Sequence, residues 1–178
     1  MLRLRPFKNQ DAKYILGWIK DEKSFRKWSA DRYEHYPAKE EDMIQMYRAT
    51  EDTDNFYPMT AFDESGIVGH IILRFIDDEK QIIRFGFVIV DDTKRGLGYG
   101  KELLRLAIKY ADEFLGAEKI TLGVFENNQS ALYCYKAAGF RENESEQVEY
   151  YHIFDEDWKC IEMEYVNPNY IKEDDAAE

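Results

Sequence analysis

The sequence predicts an α/β fold with helices on both faces of a mixed sheet. The predicted elements are a strand, a helical region, three strands, a helix, a strand, a helix and two strands, which is not the order of a doubly wound nucleotide fold. The chain has 178 residues, 44% of them hydrophobic, as expected for one domain with a single core. We therefore expect one domain over residues 1–166 and a loose acidic tail over residues 167–178.

The composition argues against several classes of protein. The net charge of −12 disfavours a general nucleic-acid binder, which would carry a basic stripe, and it tolerates a cationic substrate. The chain has no run of about eighteen apolar residues, so no membrane span is expected, and its N-terminus lacks the apolar segment of a secretory signal. Two cysteines, Cys134 and Cys160, are too few for a disulfide framework. These features predict a cytoplasmic protein.

The N-terminal half predicts one strand, a helical region and three more strands. Alternating residues indicate a strand at residues 2–5, and Asn9 or Asp11 is a candidate cap for a helix that runs to about Lys20. The apolar face of that helix would hold Tyr14, Ile15, Trp18 and Ile19. Short helices are expected around Phe25 and over residues 41–47. Two strands joined by "DESG" follow, and then a buried central strand over residues 81–90.

The C-terminal half alternates between helices and strands. After a glycine-rich loop, apolar residues recur at helical spacing up to a stop at Gly116. "KITLGVF" predicts the next strand, and "NQSALYCYKAAGF" predicts a helix that ends at Gly139. Two final strands are expected at about residues 146–154 and 159–166, joined by "DEDW".

The loop within "DDTKRGLGYGKELL" predicts an anion site. It fits neither G-x-x-x-x-G-K-[ST] nor G-x-G-x-x-G. It nevertheless joins a strand to a helix whose first N–H groups are free and whose dipole is positive at that end. Lys94, Arg95 and Lys101 add positive charge to an otherwise acidic chain. The alternative is a structural turn with solvated lysines.

A second motif lies downstream, and the two together resemble the GNAT superfamily of acyl-CoA N-acyltransferases. The loop provides Arg95-x-x-Gly98-x-Gly100, which is similar to the family's [QR]-x-x-G-x-[GA]. The family's N-x-x-A-x-x-x-Y-x-x-x-G-F pattern is matched without a gap at Asn128, Ala131, Tyr135, Gly139 and Phe140. The resemblance covers residues 2–166, with its specific motifs between residues 87 and 140, and it implies about seven mostly antiparallel strands.

The resemblance implies that acetyl-CoA binds along these motifs. Loop N–H groups would hold the pyrophosphate, which assigns Arg95, Gly96, Leu97, Gly98, Tyr99, Gly100 and Lys101. The main chain of the preceding strand would pair with the pantetheine arm at Val88, Ile89 and Val90, and the strand over residues 120–124 would splay away to open a cleft. Asn128 and Ala131 complete the predicted cofactor site, although Asn128 is alternatively a helix cap.

The resemblance also implies that Tyr135 is catalytic, because its phenol would protonate the departing thiolate. The alternative is a ring packed beneath the sheet, and Tyr133 is interpreted as core or rim. The glutamate that some family members use as a base is replaced by Arg84. The remaining candidates are Glu34, His35, His70, Asp77, Asp78, Glu79 and His152. No residue spacing indicates a metal site.

The implied reaction is direct attack of a neutral amine on the thioester in a ternary complex. The acceptor wall, over residues 21–55 and the turn "IDDEKQ", is aromatic and acidic, which slightly favours a small cationic amine or polyamine. The alternative is that its rings only pack the first helices onto the sheet: Trp28, Tyr33, Tyr36, Tyr47 and Phe56. A protein N-terminus or lysine is an alternative acceptor. A module that binds acyl-CoA without turnover is an alternative function. Self-association is common in the family, so a homodimer is a further expectation.

Overall fold

The computed structural model describes residues 1–145 and 147–168, which form eight strands and five α-helices. The strands are β1 (Arg3–Pro6), β2 (Phe56–Asp63), β3 (Gly66–Phe75), β4 (Ile82–Val90), β5 (Lys119–Phe125), β6 (Arg141–Glu142), β7 (Glu149–Ile153) and β8 (Glu156–Val166). The helices are α1 (Ala12–Gly17), α2 (Glu22–Ser29), α3 (Glu40–Arg48), α4 (Tyr99–Glu113) and α5 (Gln129–Ala137).

The strands form one sheet in the order β1-β2-β3-β4-β5-β8-β6, with β7 also paired to β8. Every pairing is antiparallel except that of β4 with β5. The predicted mixed, mostly antiparallel sheet is therefore confirmed. The strand that sequence analysis missed is β6, whose two residues are too few to show an alternating pattern.

Helices cover both faces of the sheet, as predicted, and each face has its own hydrophobic cluster. The helices α4 and α5 pack on one face, and α1, α2 and α3 pack on the other. Their buried contacts include Leu103, Leu104 and Ala107 on the first face and Ile15, Phe25 and Met43 on the second. The central strands lie between these layers and are therefore covered on both faces of the sheet.

The first helix is shorter than the periodicity predicts. The helix α1 ends at Gly17, and Tyr14 is 46% exposed instead of lying on the buried face. The Asp11 carboxylate does not cap α1; it is fully buried and accepts hydrogen bonds from Arg5 Nη1 and the Thr60 hydroxyl, each at 2.7 Å. A buried carboxylate requires such partners, so Asp11 ties the start of the helical region to β1 and β2.

The C-terminal hairpin turns earlier than predicted. The loop is Phe154–Asp155, because both residues have positive φ (54° and 57°) and Ile153 pairs with Glu156. This two-residue turn usually carries Asn-Gly or Asp-Gly, so the sequence gives no signal for it, and Trp158 lies in β8 instead of the loop. Residue 146, where a strand was expected to begin, and residues 169–178 of the expected tail lie outside the described residues.

Candidate active site

The strands β4 and β5 lie side by side at one end only. Residues 82–84 of β4 pair with residues 119–121 of β5, and beyond them the two strands separate. The edge of β4 over residues 85–90 that faces β5 has no strand partner within the described chain. Unpaired N–H and C=O groups on such an edge can pair with an extended ligand. The predicted splay is therefore confirmed.

A β-bulge bends β4 within this open edge. The register of β3 against β4 shifts between His70 and Ile72, where Phe87 and Val88 of β4 lie opposite a single residue of β3. Phe87 has a φ of 48°, in the left-handed region that side chains with a Cβ rarely adopt. The bulge sets the direction of the backbone over residues 88–90, which are the predicted contacts of the pantetheine arm.

The glycine-rich loop leads into the N-terminus of α4. Gly96 and Gly98 have φ values of 77° and 85°, and Gly98 is the N-cap residue of α4. Glycine adopts this conformation without strain. No described side chain caps α4, so the N–H groups of its first turn are free to bind an anion.

Gly100 is the point at which α4, α5 and β4 meet. A Cβ added at Gly100 would lie 3.0 Å from Cys134 Sγ and 3.9 Å from Val90 Cγ2. The second distance is ordinary contact, whereas the first is too short for a comfortable one. Glycine at this position therefore lets the first turn of α4 pack closely against α5.

The predicted cluster of cations at the loop is partly neutralised. Lys94 Nζ lies 3.6 Å from Asp63 Oδ2 and donates to the Ser65 hydroxyl. The Tyr99 hydroxyl donates to the same carboxylate at 2.7 Å. Hydrogen bonds from Ser65 and Tyr99 hold the pKa of Asp63 below its usual value. Lys94 and Tyr99 therefore link the loop to the β2–β3 turn.

Arg95 and Lys101 provide the remaining positive charge at the loop. Arg95 is exposed and donates at 3.4 Å to the carbonyl of Val90, and Lys101 forms no ion pair with a described residue. Leu97, between them, is 70% exposed. A groove between α4 and α5 begins at Gly98 and Lys101 and also includes Arg105, a residue that sequence analysis missed.

Tyr135 lies on α5 with its ring in the core. It is 8% exposed, and its ring centroid lies 6.1 Å from that of Phe140. Its hydroxyl makes no hydrogen bond with any described residue. Burial raises the pKa of Tyr135 well above its ordinary value, so the phenol stays protonated at neutral pH. Tyr133 is 77% exposed, which places it on the rim.

Asn128 precedes α5 but does not act as its side-chain cap. It makes no capping hydrogen bond, and its Oδ1 accepts only a long hydrogen bond, 3.4 Å, from the Ser130 hydroxyl. Asn128 is therefore the N-cap residue of α5 by position, and its carbonyl accepts from Leu132 N at 3.0 Å, but its side chain does not serve as the cap. Its amide is available to a ligand, and Ala131 lies one turn further along the helix, partly buried against the core.

None of the predicted candidates for a base lies at the splay of β4 and β5. His70 is fully buried, its Nε2 lies 2.7 Å from the Tyr47 hydroxyl, and burial lowers its pKa to about 3. His152 is exposed and pairs with Asp157 at 2.9 Å, which raises its pKa. The other candidates lie in surface segments: Glu34, His35, Asp77, Asp78 and Glu79.

A cleft of about 120 Å³ opens where β4 and β5 separate, and we call it the splay cleft. Its lining residues are Lys27, Trp28, Ser29, Ala30, Arg32, Ile72, Arg74, Arg84, Phe85, Gly86, Phe87, Gly123, Phe125, Tyr151 and Cys160. Of the aromatic residues in the predicted acceptor wall, only Trp28 lines the cleft, and its ring lies 5.0 Å from that of Phe87. The others pack in the hydrophobic cluster under α1–α3, as the packing alternative expected: Tyr33, Tyr36, Tyr47 and Phe56. The expected acidic character is absent from these lining residues.

Arg84, which occupies the position of the family's glutamate, pairs with Glu162 of β8. Its Nη1 and Nη2 atoms lie 2.5 and 3.0 Å from the two carboxylate oxygens. A Cβ at Gly123 of β5 would lie 2.9 Å from Arg84 Nη2, so glycine at residue 123 leaves room for the pair. Sequence analysis missed this pair because it depends on β8 lying next to β5.

Two kinds of feature are absent from the part of the chain that the structure describes. No described helix is long and apolar enough to cross a membrane. No group of three or more His, Cys, Asp or Glu side chains in the described ranges could hold a metal ion. Both cysteines are free.

The sequence matches a known family and, in part, characterised relatives. Residues 22–140 match the acetyltransferase (GNAT) family. A spermine/spermidine N(1)-acetyltransferase of Bacillus subtilis (strain 168) is 27% identical over 93 residues, which is 49% of this chain and 61% of that protein. The aligned region thus spans about six tenths of the relative's length.

Solved structures share the fold at low sequence identity. A spermidine N-acetyltransferase from Vibrio cholerae, in complex with CoA and spermine, superposes with a TM-score of 0.80 at 21% identity, covering 96% of this chain and 98% of that one. A putative phosphinothricin N-acetyltransferase superposes with a TM-score of 0.73 at 19% identity, covering 93% of this chain and 98% of that one. These similarities establish the fold.

Proposed function

This chain belongs to the acetyltransferase (GNAT) family, and we propose that it transfers the acetyl group of acetyl-CoA to the primary amine of a small acceptor. The observation that carries the proposal is the meeting of a phosphate-compatible helix N-terminus and an open strand edge at Gly100, next to α5 with Tyr135. These are the parts needed to hold a long anionic thioester and to act on its sulfur.

The described residues fit acetyl-CoA as the donor substrate. The N–H groups from Gly96 to Lys101, with the Arg95 guanidinium, would bind the pyrophosphate. The main chain over residues 88–90 and the Asn128 amide would hold the pantetheine arm along the open edge of β4. Bound in this way, acetyl-CoA supplies an acetyl group activated as a thioester.

Tyr135 would assist the departure of the thiolate. A thiol has an ordinary pKa of about 8.5, far below that of the buried phenol, so complete proton transfer from Tyr135 would be uphill. A hydrogen bond from the hydroxyl to the developing negative charge avoids that cost. The role of Tyr135 is therefore donation of a hydrogen bond as the new N–C bond forms and the C–S bond breaks.

The acceptor amine must lose a proton before it attacks. For an alkylamine of pKa about 10.4, deprotonation at pH 7 costs about 4.6 kcal/mol. Glu162 compensates the charge of Arg84, but the other cations of the splay cleft, Lys27, Arg32 and Arg74, would lower the pKa of an amine held among them and so reduce that cost. This effect offers a substitute for a dedicated base in direct attack on the thioester.

A polyamine is the acceptor class that the relatives support. The Bacillus subtilis and Vibrio cholerae proteins are named as spermine/spermidine and spermidine N-acetyltransferases. The net charge of −12 favours the approach of a polycation to the molecule as a whole. We take spermidine as the first acceptor to test.

The experiment is a measurement of free CoA thiol released from acetyl-CoA in the presence of spermidine, spermine, cadaverine, lysine or a short peptide. We expect release that depends on an added amine, and the preferred amine names the acceptor class. Tight binding of acetyl-CoA by calorimetry without release across the panel would favour a non-catalytic acyl-CoA module. A failure to bind acetyl-CoA would contradict the assignment of the loop.

We also infer a cytoplasmic location and formation of a homodimer. The two unpaired cysteines support a reducing compartment. The outer edge of β7 has no strand partner in the described chain, and Tyr150 on that strand is 63% exposed, which supports strand-to-strand association between copies. Light scattering of the purified protein tests the dimer, and a monomer at all concentrations would contradict it.

A further inference from the structure

The splay cleft is a basic region in an acidic protein. The chain has 36 acidic and 24 basic residues, yet the charged residues that line the cleft are all cations: Lys27, Arg32, Arg74 and Arg84. No carboxylate is among its described lining residues. Such a concentration of like charge opposes folding unless something compensates it.

Two of these arginines lie directly opposite each other in the sheet. Arg74 of β3 and Arg84 of β4 are cross-strand partners, and like charges in such a pair are destabilising. Burial lowers the pKa of Arg74, and the charges of Arg32 and Arg84 lower it further. Arg74 is therefore close enough to both Arg32 and Arg84 to be repelled by their charges.

The charge of one arginine in this pair is compensated and that of the other is not. The Glu162 carboxylate accepts hydrogen bonds from both Nη atoms of Arg84. In contrast, the half-buried side chain of Arg74 forms no hydrogen bond or ion pair with any described residue. Arg32 forms only a long ion pair, in which its Nε atom lies 3.9 Å from Asp31 Oδ1. Arg74 thus offers a free guanidinium fork to the cleft.

We propose that Arg74, with Arg84 beside it, binds a carboxylate carried by the acceptor, so that the favoured acceptor is a small amine that is also an acid. An amino acid is the simplest such molecule. A guanidinium matches a carboxylate through two parallel hydrogen bonds, and the anion would relieve the repulsion between the arginines. The inference rests on the proposed acetyl transfer at the same site, and it adds a requirement that a polyamine does not meet.

Matched acceptors that differ by one carboxylate test the proposal: lysine against cadaverine, and phenylalanine against phenethylamine. We expect kcat/KM to be about tenfold or more higher for the acid of each pair, as for a charged hydrogen bond. In the Arg74→Gln variant, the ratio of kcat/KM for the acid to kcat/KM for the matched amine falls about tenfold or more. Arg48→Gln, which removes the same charge from an exposed site on α3, keeps the wild-type ratio. A wild-type preference for the decarboxylated amines, or an unchanged ratio in Arg74→Gln, overturns the proposal.

A second measurement does not depend on turnover. Titration of 3-phenylpropionate, a carboxylate without an amine, into the protein saturated with CoA is expected to show binding that Arg74→Gln weakens about tenfold or more. If no amine is acetylated but this binding persists, acetyl transfer fails and the carboxylate site stands. If spermidine is acetylated and 3-phenylpropionate does not bind, the proposed function stands and the carboxylate site is overturned.

Discussion

At the scale of single residues, Tyr135 combines a ring in the core with a hydroxyl that the protein's own packing does not use. The ring is 8% exposed and packs against Phe140, whereas the hydroxyl makes no hydrogen bond with any described residue and its oxygen is not fully enclosed by protein. A phenylalanine would pack against Phe140 equally well. The hydroxyl is thus available to a ligand.

We predict that Tyr135→Phe lowers kcat about 100-fold, the magnitude typical of losing one hydrogen-bond donor to a developing negative charge. The dissociation constant for acetyl-CoA stays unchanged, because the ring and the loop are intact. Steady-state kinetics and calorimetry measure the two quantities. Tyr133→Phe, on the exposed face of the same helix, is the control and keeps the wild-type rate. A wild-type kcat in Tyr135→Phe would rule out the proposed role.

At the scale of elements, the site depends on how closely α4 approaches α5. The loop places Gly98 at the N-cap of α4 and leaves the N–H groups of the first turn without a side-chain cap, while Gly100 allows the same turn to contact Cys134. Burial raises the pKa of the Cys134 thiol, which is therefore neutral at pH 7 and serves as a small apolar group. The anion site and the helix packing thus share one turn of α4.

Gly100→Ala is predicted to lower the free energy of unfolding by about 2 kcal/mol, because the added methyl group overpacks the contact with Cys134. It is also expected to weaken acetyl-CoA binding, because the first turn of α4 must shift. Urea denaturation and calorimetry measure these effects.

The variant Gly100→Ala/Cys134→Ala removes the sulfur and should recover most of the lost stability. Gly17→Ala is the matched control, because a Cβ there meets nothing within 4 Å. An undiminished stability in Gly100→Ala, or no recovery in the double variant, would show that the close contact is unimportant.

At the scale of the whole molecule, one buried histidine makes the stability of the fold sensitive to acid. The face under α1–α3 contains His70, which is fully buried and lies 2.7 Å from the Tyr47 hydroxyl. Burial lowers the pKa of His70 to about 3. An unfolded chain would protonate this histidine below about pH 6.5. Stability therefore falls as pH drops from 6.5 toward 3, by about 1.4 kcal/mol per pH unit from this group.

We predict that His70→Gln removes this dependence. Between pH 6.5 and pH 5 the wild type should lose about 2 kcal/mol more of its free energy of unfolding than the variant loses. Urea denaturation at the two pH values measures the difference, and the carboxylates contribute equally to both proteins. The exposed His35 provides the control His35→Gln, which should follow the wild type. Parallel pH profiles for wild type and His70→Gln would contradict the prediction.

Much of the fold could be predicted because its signals are local. The strand β5 and the helices α4 and α5 appear where hydrophobic spacing and glycines predict them. The weak predictions had physical causes: the turn at Phe154–Asp155 lacks glycine, β6 has two residues, and Asp11 bonds to Arg5 and Thr60 instead of capping α1. Each of these depends on contacts that no short window of sequence contains.

The sequence by itself determined the family and the glycine-rich turn into α4, because both follow from residues close together along the chain. The motif residues from Arg95 to Gly100 and from Asn128 to Phe140 specify local backbone conformations at the starts of α4 and α5. Their spacing along the chain is enough to predict these conformations. Only the tertiary structure decided the charge of the splay cleft. Arg74, Arg84 and Glu162 meet through strand order and register, which long-range pairing sets, so a chain that is acidic overall presents a basic cleft.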